Sequence, residues 1–317
     1  MVDNEDSRRH KVKRVLVIGD VIADAYRECT FKKECPDAPG VRAVIQNHGR
    51  EVRPGGAANV AVNLAALSPD TQIDLIGVID DDLGRTIKFT SHNRIGMEYC
   101  VFETPLIKER VIVDGQFAIR IDNVREVCRF TAARLDFALK CYLSSHTPDL
   151  IILSDYAGGS VNEECLERIL AHRDRLLIDT KKTDLSVFSG SLLIKLNKSE
   201  LHKALETEST PESFCRALVT TCGEDGAVLH MMGPHPRYQQ TTITHTLTVK
   251  AHRVPVKDAC GCGDTFLAGL AASLLTNDDP YTAMQFANAA SASVVTQPRT
   301  AVADRKKTLE LLGRETE

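Results

Sequence analysis

Short apolar runs alternate with helical patterns along most of this chain, which predicts an α/β fold: a mainly parallel sheet covered by helices on both faces, with a small β-sheet lid. Three observations predict it. Arg14–Gly19, Ile73–Val78, Leu150–Ser154, Leu176–Asp179, Leu192–Leu196 and Ala217–Thr221 are short runs of the kind that doubly buried strands need. Helical patterns fall between several of them, at Val60–Leu67, Asn162–His172 and Ser199–Leu205. Asp114-Gly115, set between the apolar pieces Arg110–Val113 and Phe117–Ile121, is a strong hairpin signal that breaks the alternation.

Taken in order, Met1–Lys13 is polar and mixed in charge, and reads as a flexible N-terminal tail (1–13) ahead of one domain over 14–317. Arg14–Gly19 is the first strand, and its end at Gly19-Asp20 puts Asp20 and Asp24 where open α/β sheets bind ligands. A polar, irregular stretch then runs to about Arg53, with Val41–Ile45 as an extended piece. Pro54-Gly55-Gly56-Ala57-Ala58-Asn59 opens a helix through Leu67, and its glycines allow a ligand close to the backbone. Ile73–Val78 is followed by the acidic turn Asp80–Asp82 and a helix to about Ile95. The hairpin belongs to lid segments expected around 30–50 and 101–122. Ala227–Met231 and Thr246–Ala251 are two further strands, joined by the Pro-rich connection Gly233–Thr242. Helices Thr265–Leu275 and Pro280–Val295 close the fold, and the terminal clusters Lys11–Arg14 and Arg305–Lys307 read as solvated ends.

Bulk composition narrows the function classes. With 43% hydrophobic and 26% charged residues, the 317-residue chain has the make-up of a globular protein with a full core. A formal charge of −4 leaves no electrostatic footprint for nucleic acid. No run approaches the ~18 apolar residues of a membrane span. The ten cysteines include no Cys-x-x-Cys pair and, without a secretion signal, read as reduced thiols of a cytoplasmic protein.

Chemistry concentrates in Asp258-Ala-Cys-Gly-Cys-Gly-Asp264, which runs straight into the apolar helix. Gly261 and Gly263 let backbone N–H groups crowd together at a helix start, a ready anion site. Asp264 then places a carboxylate where it would repel a bound phosphate. The conflict resolves if that carboxylate takes a proton while a phosphoryl group is transferred to an alcohol. Two other phosphate cradles are excluded. The third glycine of Gly-x-Gly-x-x-Gly is absent, Phe266 standing there, and no Gly-x-x-x-x-Gly-Lys-Ser/Thr run exists.

Gly55-Gly56-x-x-Asn59 and Asp258-x-x-Gly261-x-Gly263-Asp264 together resemble the paired signatures of the ribokinase-like (PfkB) carbohydrate kinases. The chain is most similar to the D-glycero-D-manno-heptose 7-phosphate kinase branch. That likeness is supported by Gly19–Asp24, Arg53–Asn63, Leu153-Ser154-Asp155-Tyr156, Lys108-x-Arg110 and Arg120-x-Asp122. The resemblance covers Arg14 to Val302. It implies a Rossmann-like sheet with a small β lid and transfer of the ATP γ-phosphoryl group to a sugar hydroxyl. In that reading Asp264 is the general base, and the N–H groups of Cys260 to Gly263, Cys262 included, form an anion hole. Asn197 and Glu200, in Asn-x-x-Glu, organise Mg²⁺ and the ATP phosphates, although the same pair would also serve as a helix cap. Thr221, Gly223 and Gly226 form a nucleotide-binding turn, and Asn288 lies beside the adenine. Asp20, Asp24, Gly55, Gly56, Asn59 and Asp155 grip sugar hydroxyls, while Lys108 and Arg110 reach from the lid to a second phosphate or remain edge charges.

Departures from the pattern matter too. Cys260 and Cys262 stand where the family has Thr and Ala, which puts a monovalent-cation site in doubt; Cys262, if accessible, would make the enzyme sensitive to oxidants. Gly158 stands where the heptose kinases carry Lys, which weakens the case for a phosphorylated acceptor. The chain ends at Glu317 without the nucleotidyltransferase domain often fused to such kinases, so a second step is expected from a separate protein. Two alternatives compete with a sugar kinase. One is a nucleoside (adenosine-type) kinase, against which the 5% aromatic content argues weakly; the other is a catalytically silent ligand-binding relative, against which Asp264 and both glycines argue. The small-molecule partner is a sugar or sugar phosphate, with no nucleic acid or membrane, and a homodimer is expected through the edges of the lid.

Overall fold

The computed structural model describes residues 12–35, 44–123, 127–207, 215–234, 241–276 and 278–313. The expected tail falls almost wholly outside them, as do most of Val41–Ile45 and the middle of the Gly233–Thr242 connection. Strand β1 (Arg14–Gly19) leads through Asp20 into two long strands, β2 (Val21–Lys33) and β3 (Val44–Gly56). Where the sequence reads as irregular, the chain therefore forms an antiparallel pair whose outer half is solvated, so its residues are polar without being loop. Helix α1 (Ala57–Leu67) follows, then β4 (Gln72–Ile76), β5 (Val78–Ile79) and α2 (Asp81–Thr90). The Asp80 side chain caps α2 by accepting from the Leu83 N–H, and Asp81 and Asp82 suit its positive end.

Ile95 is not helical; it belongs to β6 (Ile95–Gly96), which is followed by β7 (Val101–Phe102). Next come β8 (Leu106–Val113) and β9 (Gln116–Asn123), joined at Asp114 and Gly115 with φ of 52° and 76°. Positive φ at both central residues is the hairpin turn that the Asp-Gly pair favours. Helix α3 (Arg129–Ser145) has no counterpart in the sequence reading. After β10 (Leu150–Asp155) come α4 (Glu163–Leu170), β11 (Leu176–Thr180), β12 (Leu193–Asn197), α5 (Lys198–Leu205) and β13 (Ala217–Thr221). β14 (Ala227–Pro234) and β15 (Thr241–Val249) are antiparallel, the second starting earlier than expected. Helices α6 (Cys262–Leu274), α7 (Pro280–Val295) and α8 (Arg305–Leu311) end the described chain. Asp279 caps α7 through the Tyr281 and Thr282 N–H groups, with Pro280 in the first turn. The Arg305–Lys307 cluster is the start of α8 rather than a loose end, because Asp304 caps it.

Nine strands make one sheet in the order β15-β14-β13-β12-β11-β10-β1-β4-β6, mainly parallel, and β3-β2-β8-β9 make a separate four-stranded sheet. Both faces of the large sheet are covered. In β1, Val15 and Val17 join the core with α1, α6 and α7, while Leu16 and Ile18 join the core with α3, α4 and α5. The small sheet is tied to the main body through one loop. Thr300 donates to the Asp24 carboxylate at 3.0 Å and, through its N–H, to the Tyr26 hydroxyl at 3.0 Å. Arg299 pairs with Glu28 and Glu51, and Arg53 donates to the carbonyls of Pro298 and Thr300.

Candidate active site

From β1 the chain builds outward to β4 on one side and later to β10 on the other, so the direction of winding reverses between β1 and β10. A crevice opens at such a reversal, beyond the carboxyl ends of the strands. Asp20, Asp155, Asp179, Asn197 and Thr221 stand at those ends. Asp264 reaches the same crevice from the first turn of α6, where the positive end of the helix favours a carboxylate. Gly261, just before that turn, has φ 77°, and a Cβ there would lie 2.5 Å from the Asn59 amide nitrogen. The turn therefore requires glycine.

Asp264 is 4% exposed, yet it lines a cavity of about 330 Å³ together with Tyr156, Asp179, Lys195 and Gly263. Its Oδ2 accepts from Asn59 Nδ2 at 2.9 Å, and its Oδ1 accepts from the Tyr156 hydroxyl at 2.6 Å. Burial pushes the carboxyl up to about 6; the two hydrogen bonds and Lys195 oppose this, and the Asp179 charge reinforces it. A carboxylate with that affinity for a proton is suited to general-base work near neutral pH.

The anion site is narrower than expected. The Cys260 N–H is occupied by Asp258 Oδ1 at 2.9 Å and the Cys262 N–H leans on the Ala259 carbonyl at 3.3 Å. Gly261 keeps an N–H group without a partner among the described residues, while the Gly263 N–H faces the Cys262 sulfur, a weak acceptor. Lys195 adds a positive charge that the sequence reading missed: its Nζ lies 3.2 Å from where a Gly263 Cβ would be. It pairs with Asp179 at 2.5 Å, both side chains being at most 4% exposed. Burial alone would lower the Lys195 pKa, but the charge and hydrogen bond of Asp179 outweigh it, and the ammonium is held charged. A lysine in the middle of the otherwise apolar run Leu192–Leu196 was the signal that could have found this pair.

On the nucleotide side, Asn197, Thr221, Gly223, Gly226 and Asn288 all line the same cavity. It adjoins a second one of about 870 Å³, walled by His252, Val254, Pro255, Ala292 and Val295, with Gly223 and Asn288 common to both. Gly226 has φ 95°, and a Cβ would fall 2.0 Å from the Val249 carbonyl oxygen, so this turn also needs glycine. Asn288 is held by its bond to the Lys250 carbonyl at 2.6 Å. Asn197 and Glu200 form a reciprocal capping box for α5, each side chain accepting from the other's N–H at 2.8 Å. Glu200 also pairs with Lys181.

The polar residues expected to face the acceptor are largely engaged within the protein. Asp20 accepts from the N–H groups of Tyr156 (2.8 Å), Gly158 (2.8 Å) and Ser160 (3.2 Å), so it clamps the loop after β10. Asp155 accepts from the Ala157 N–H and the Thr180 hydroxyl, and burial raises its pKa. Arg110 is not a solvated edge charge: it donates to Asp24 at 2.8 Å and to the Cys260 sulfur at 3.2 Å. Lys108 lies over the Tyr156 ring at 4.8 Å, with Lys181 at 5.0 Å from the same ring. Gly55 and Gly56 end β3 at the mouth of the crevice, against Asp24 and Asp20. At position 158, where the heptose kinases carry Lys, a Cβ would meet the Leu106 side chain at 2.4 Å and Asp20 Oδ1 at 2.9 Å, so a larger residue would require both side chains to shift. Cys262 is half-buried, and burial pushes its thiol up despite Lys195, so it is not the reactive thiolate the sequence suggested.

Residues 12–307 match the family described as pfkB family carbohydrate kinase. The chain belongs to this family. The enzyme class that goes with membership is ATP-dependent carbohydrate kinase. Among curated proteins it is 31% identical over 93% of its length to the bifunctional protein HldE of Coxiella burnetii, and it spans 62% of that relative. Among solved structures it is similar in fold to phosphofructokinase-2 of Escherichia coli in complex with substrates and products: TM-score 0.71, 15% identity, covering 96% of this chain and 99% of that one. Ribokinase of Arabidopsis thaliana complexed with ribose and ATP gives TM-score 0.68 and 18% identity, covering 96% and 100%. The two signatures that carried the resemblance meet directly, through the bond of Asn59 to Asp264.

Proposed function

We propose that the chain transfers the γ-phosphoryl group of ATP to a hydroxyl of a heptose phosphate or a related sugar, with Asp264 as general base. The observation that carries this reading is the setting of Asp264: buried, raised to about 6, and sharing its cavity with Gly261, whose N–H has no partner among the described residues. The acceptor oxygen bonds to the γ-phosphorus as the bond to the ADP oxygen breaks, and the hydroxyl proton goes to Asp264. Gly261, Gly263 and Lys195 stabilise the charge on the transferring group. Thr221, Gly223, Gly226 and Asn288 hold the nucleotide, with Val254, Pro255 and Val295 giving its base an apolar wall.

The residues present fit Mg²⁺. Asp179 Oδ1 is buried without a partner among the described residues, and it shares the cavity with Asn197. With Glu200 behind Asn197 this is an oxygen-only donor set, which a hard cation prefers. When bound, the ion would neutralise phosphate charge. A phosphorylated acceptor is supported by Lys108 and Lys181, which converge over Tyr156.

ADP release measured with Mg-ATP over a panel of sugars, sugar phosphates and nucleosides tests the reading. Turnover is expected with a sugar phosphate. Turnover with nucleosides alone, or with no acceptor at all in the panel, would overturn it. The homodimer belongs to the same proposal: Phe117, Ile119 and Ile121 of β9 are exposed large apolar residues that a second copy would cover. Light scattering is expected to give twice the 34.8 kDa chain mass, falling to the single mass in Phe117→Lys/Ile119→Lys.

A further inference from the structure

An acceptor hydroxyl must present its proton to Asp264, yet each oxygen of that carboxylate already accepts one hydrogen bond. Asn59 cannot yield Oδ2 easily, because it is wholly buried and held in turn by Asn63, whose amide donates to Asn59 Oδ1 at 2.8 Å. The oxygen an acceptor can reach is therefore Oδ1, and the Tyr156 hydroxyl sits on it. A phenol donating to a carboxylate is the same contact an alcohol substrate makes at the start of the reaction. The tyrosine is delivered there by a built loop. Asp20 clamps the N–H groups on either side of it, Asp155 Oδ1 holds the Ala157 N–H at 2.9 Å, and Ala157 sits in the left-handed region at φ 58°. Tyr156 itself is only half-buried, flanked by Lys108 from the small sheet and Lys181 from the large one, so its ring can be displaced by a ligand entering between them.

We propose that Tyr156 is a specificity-determining residue that occupies the acceptor's seat on Asp264 until an alcohol displaces it, and so denies that seat to water. This rests on the reading of Asp264 as general base. The reaction it suppresses is hydrolysis: a water oxygen bonds to the γ-phosphorus, the bond to the ADP oxygen breaks, and the water proton passes to Asp264. With the phenol on Oδ1, a water at the phosphate must compete with Tyr156 for the base. The discrimination against water is thus achieved by competition, since a polyol held by several groups can displace a charge-assisted hydrogen bond of this kind and a lone water cannot.

The test needs no knowledge of the acceptor, because its probe is Mg-ATP and water. Tyr156→Phe is expected to release ADP without acceptor at least ~10-fold faster than wild type, within the range a general base supplies. Tyr156→Phe/Asp264→Asn is expected to return to the wild-type rate. The same acceptor-free rate in Tyr156→Phe as in wild type, with an unchanged melting curve, would overturn the proposal. So would a fast rate that persists in the double variant. Tyr156→Met replaces the Phe variant should the latter not fold. If Asp264→Asn alone leaves transfer to a sugar phosphate intact, the base assignment fails; if it abolishes transfer while Tyr156→Phe stays silent, only the gating role fails.

Discussion

Asp264→Asn is expected to lose roughly 10²–10⁴-fold in turnover, the contribution of a positioned general base, while melting higher than wild type at pH 7. Both halves follow from one number. The carboxyl sits at about 6 in the fold against an ordinary value of 3.8, chiefly because it is buried. Since the folded value is the higher, stability from this group is fully present below about 3.8, where both states are protonated. It is lost as pH rises through about 6, because the unfolded chain ionises first. At pH 7 the ionised carboxylate therefore costs about 2–3 kcal/mol, and a neutral amide removes that cost. The amide also fits its partners, accepting from Asn59 through its oxygen and donating to the Tyr156 phenol oxygen through its nitrogen. Tyr156, Asn59, Asp179 and Lys195 face the group, and none of them changes in the variant. In wild type, kcat/KM for the acceptor is expected to rise through about pH 6 and then level off. A thermal melt of the pair of proteins at pH 7, with a pH–rate profile of wild type, checks both statements. A variant that melts lower, or a wild-type profile flat across pH 5 to 7, would remove the buried-base account.

The setting of Asp264 was legible in the sequence because it is local: a helix start, two glycines and one carboxylate lie within a few positions. The same holds for the Asp114-Gly115 turn and for the Asp279-Pro280 helix start, each fixed by its own backbone geometry. What lay hidden is what depends on distant partners. Tyr156 meets Asp264 across 108 positions, and neither residue signals the other. Helix α3 was hidden for another reason. Its buried residues Thr131, Ala132, Leu135, Leu139 and Tyr142 keep helical spacing, but Phe130 and Phe137 are 72% and 65% exposed and put apolar side chains on the opposite side. With both sides apolar the periodic contrast fades. In β2 and β3 the reverse happens: strands whose outer halves stand in solvent keep polar residues there, and polarity was mistaken for irregularity. Asp20, Asp24 and Asp155 were expected to face a sugar, but the partners they have in the fold were not foreseen. Asp20 is satisfied by a backbone segment, and Asp24 by an arginine, that the sequence leaves far away.

Lys195→Met is expected to destabilise the fold by roughly 3–5 kcal/mol, the range for removing one partner of a buried ion pair. The pair lies between β11 and β12, Asp179 and Lys195 facing each other in register. With the ammonium gone, Asp179 keeps a buried charge whose Oδ1 already lacks a partner among the described residues, and now loses the bond to Oδ2 as well. The loss is therefore that of an uncompensated charge rather than of one contact. It follows that Asp179→Leu/Lys195→Met should recover most of the stability, because replacing a buried pair by apolar residues of similar volume is often neutral or better. Urea titrations of wild type, the single variant and the double variant measure this as midpoint shifts at constant slope. Activity should not follow stability. The double variant folds but carries neither the charge beside Gly263 nor the carboxylate that shares the cavity with Asn197, so phosphoryl transfer stays low in both. A single variant as stable as wild type would mean that water already compensates Asp179. A double variant with full activity would mean that the pair serves the sheet alone, and the positive charge near the transferring phosphoryl group would have to come from elsewhere.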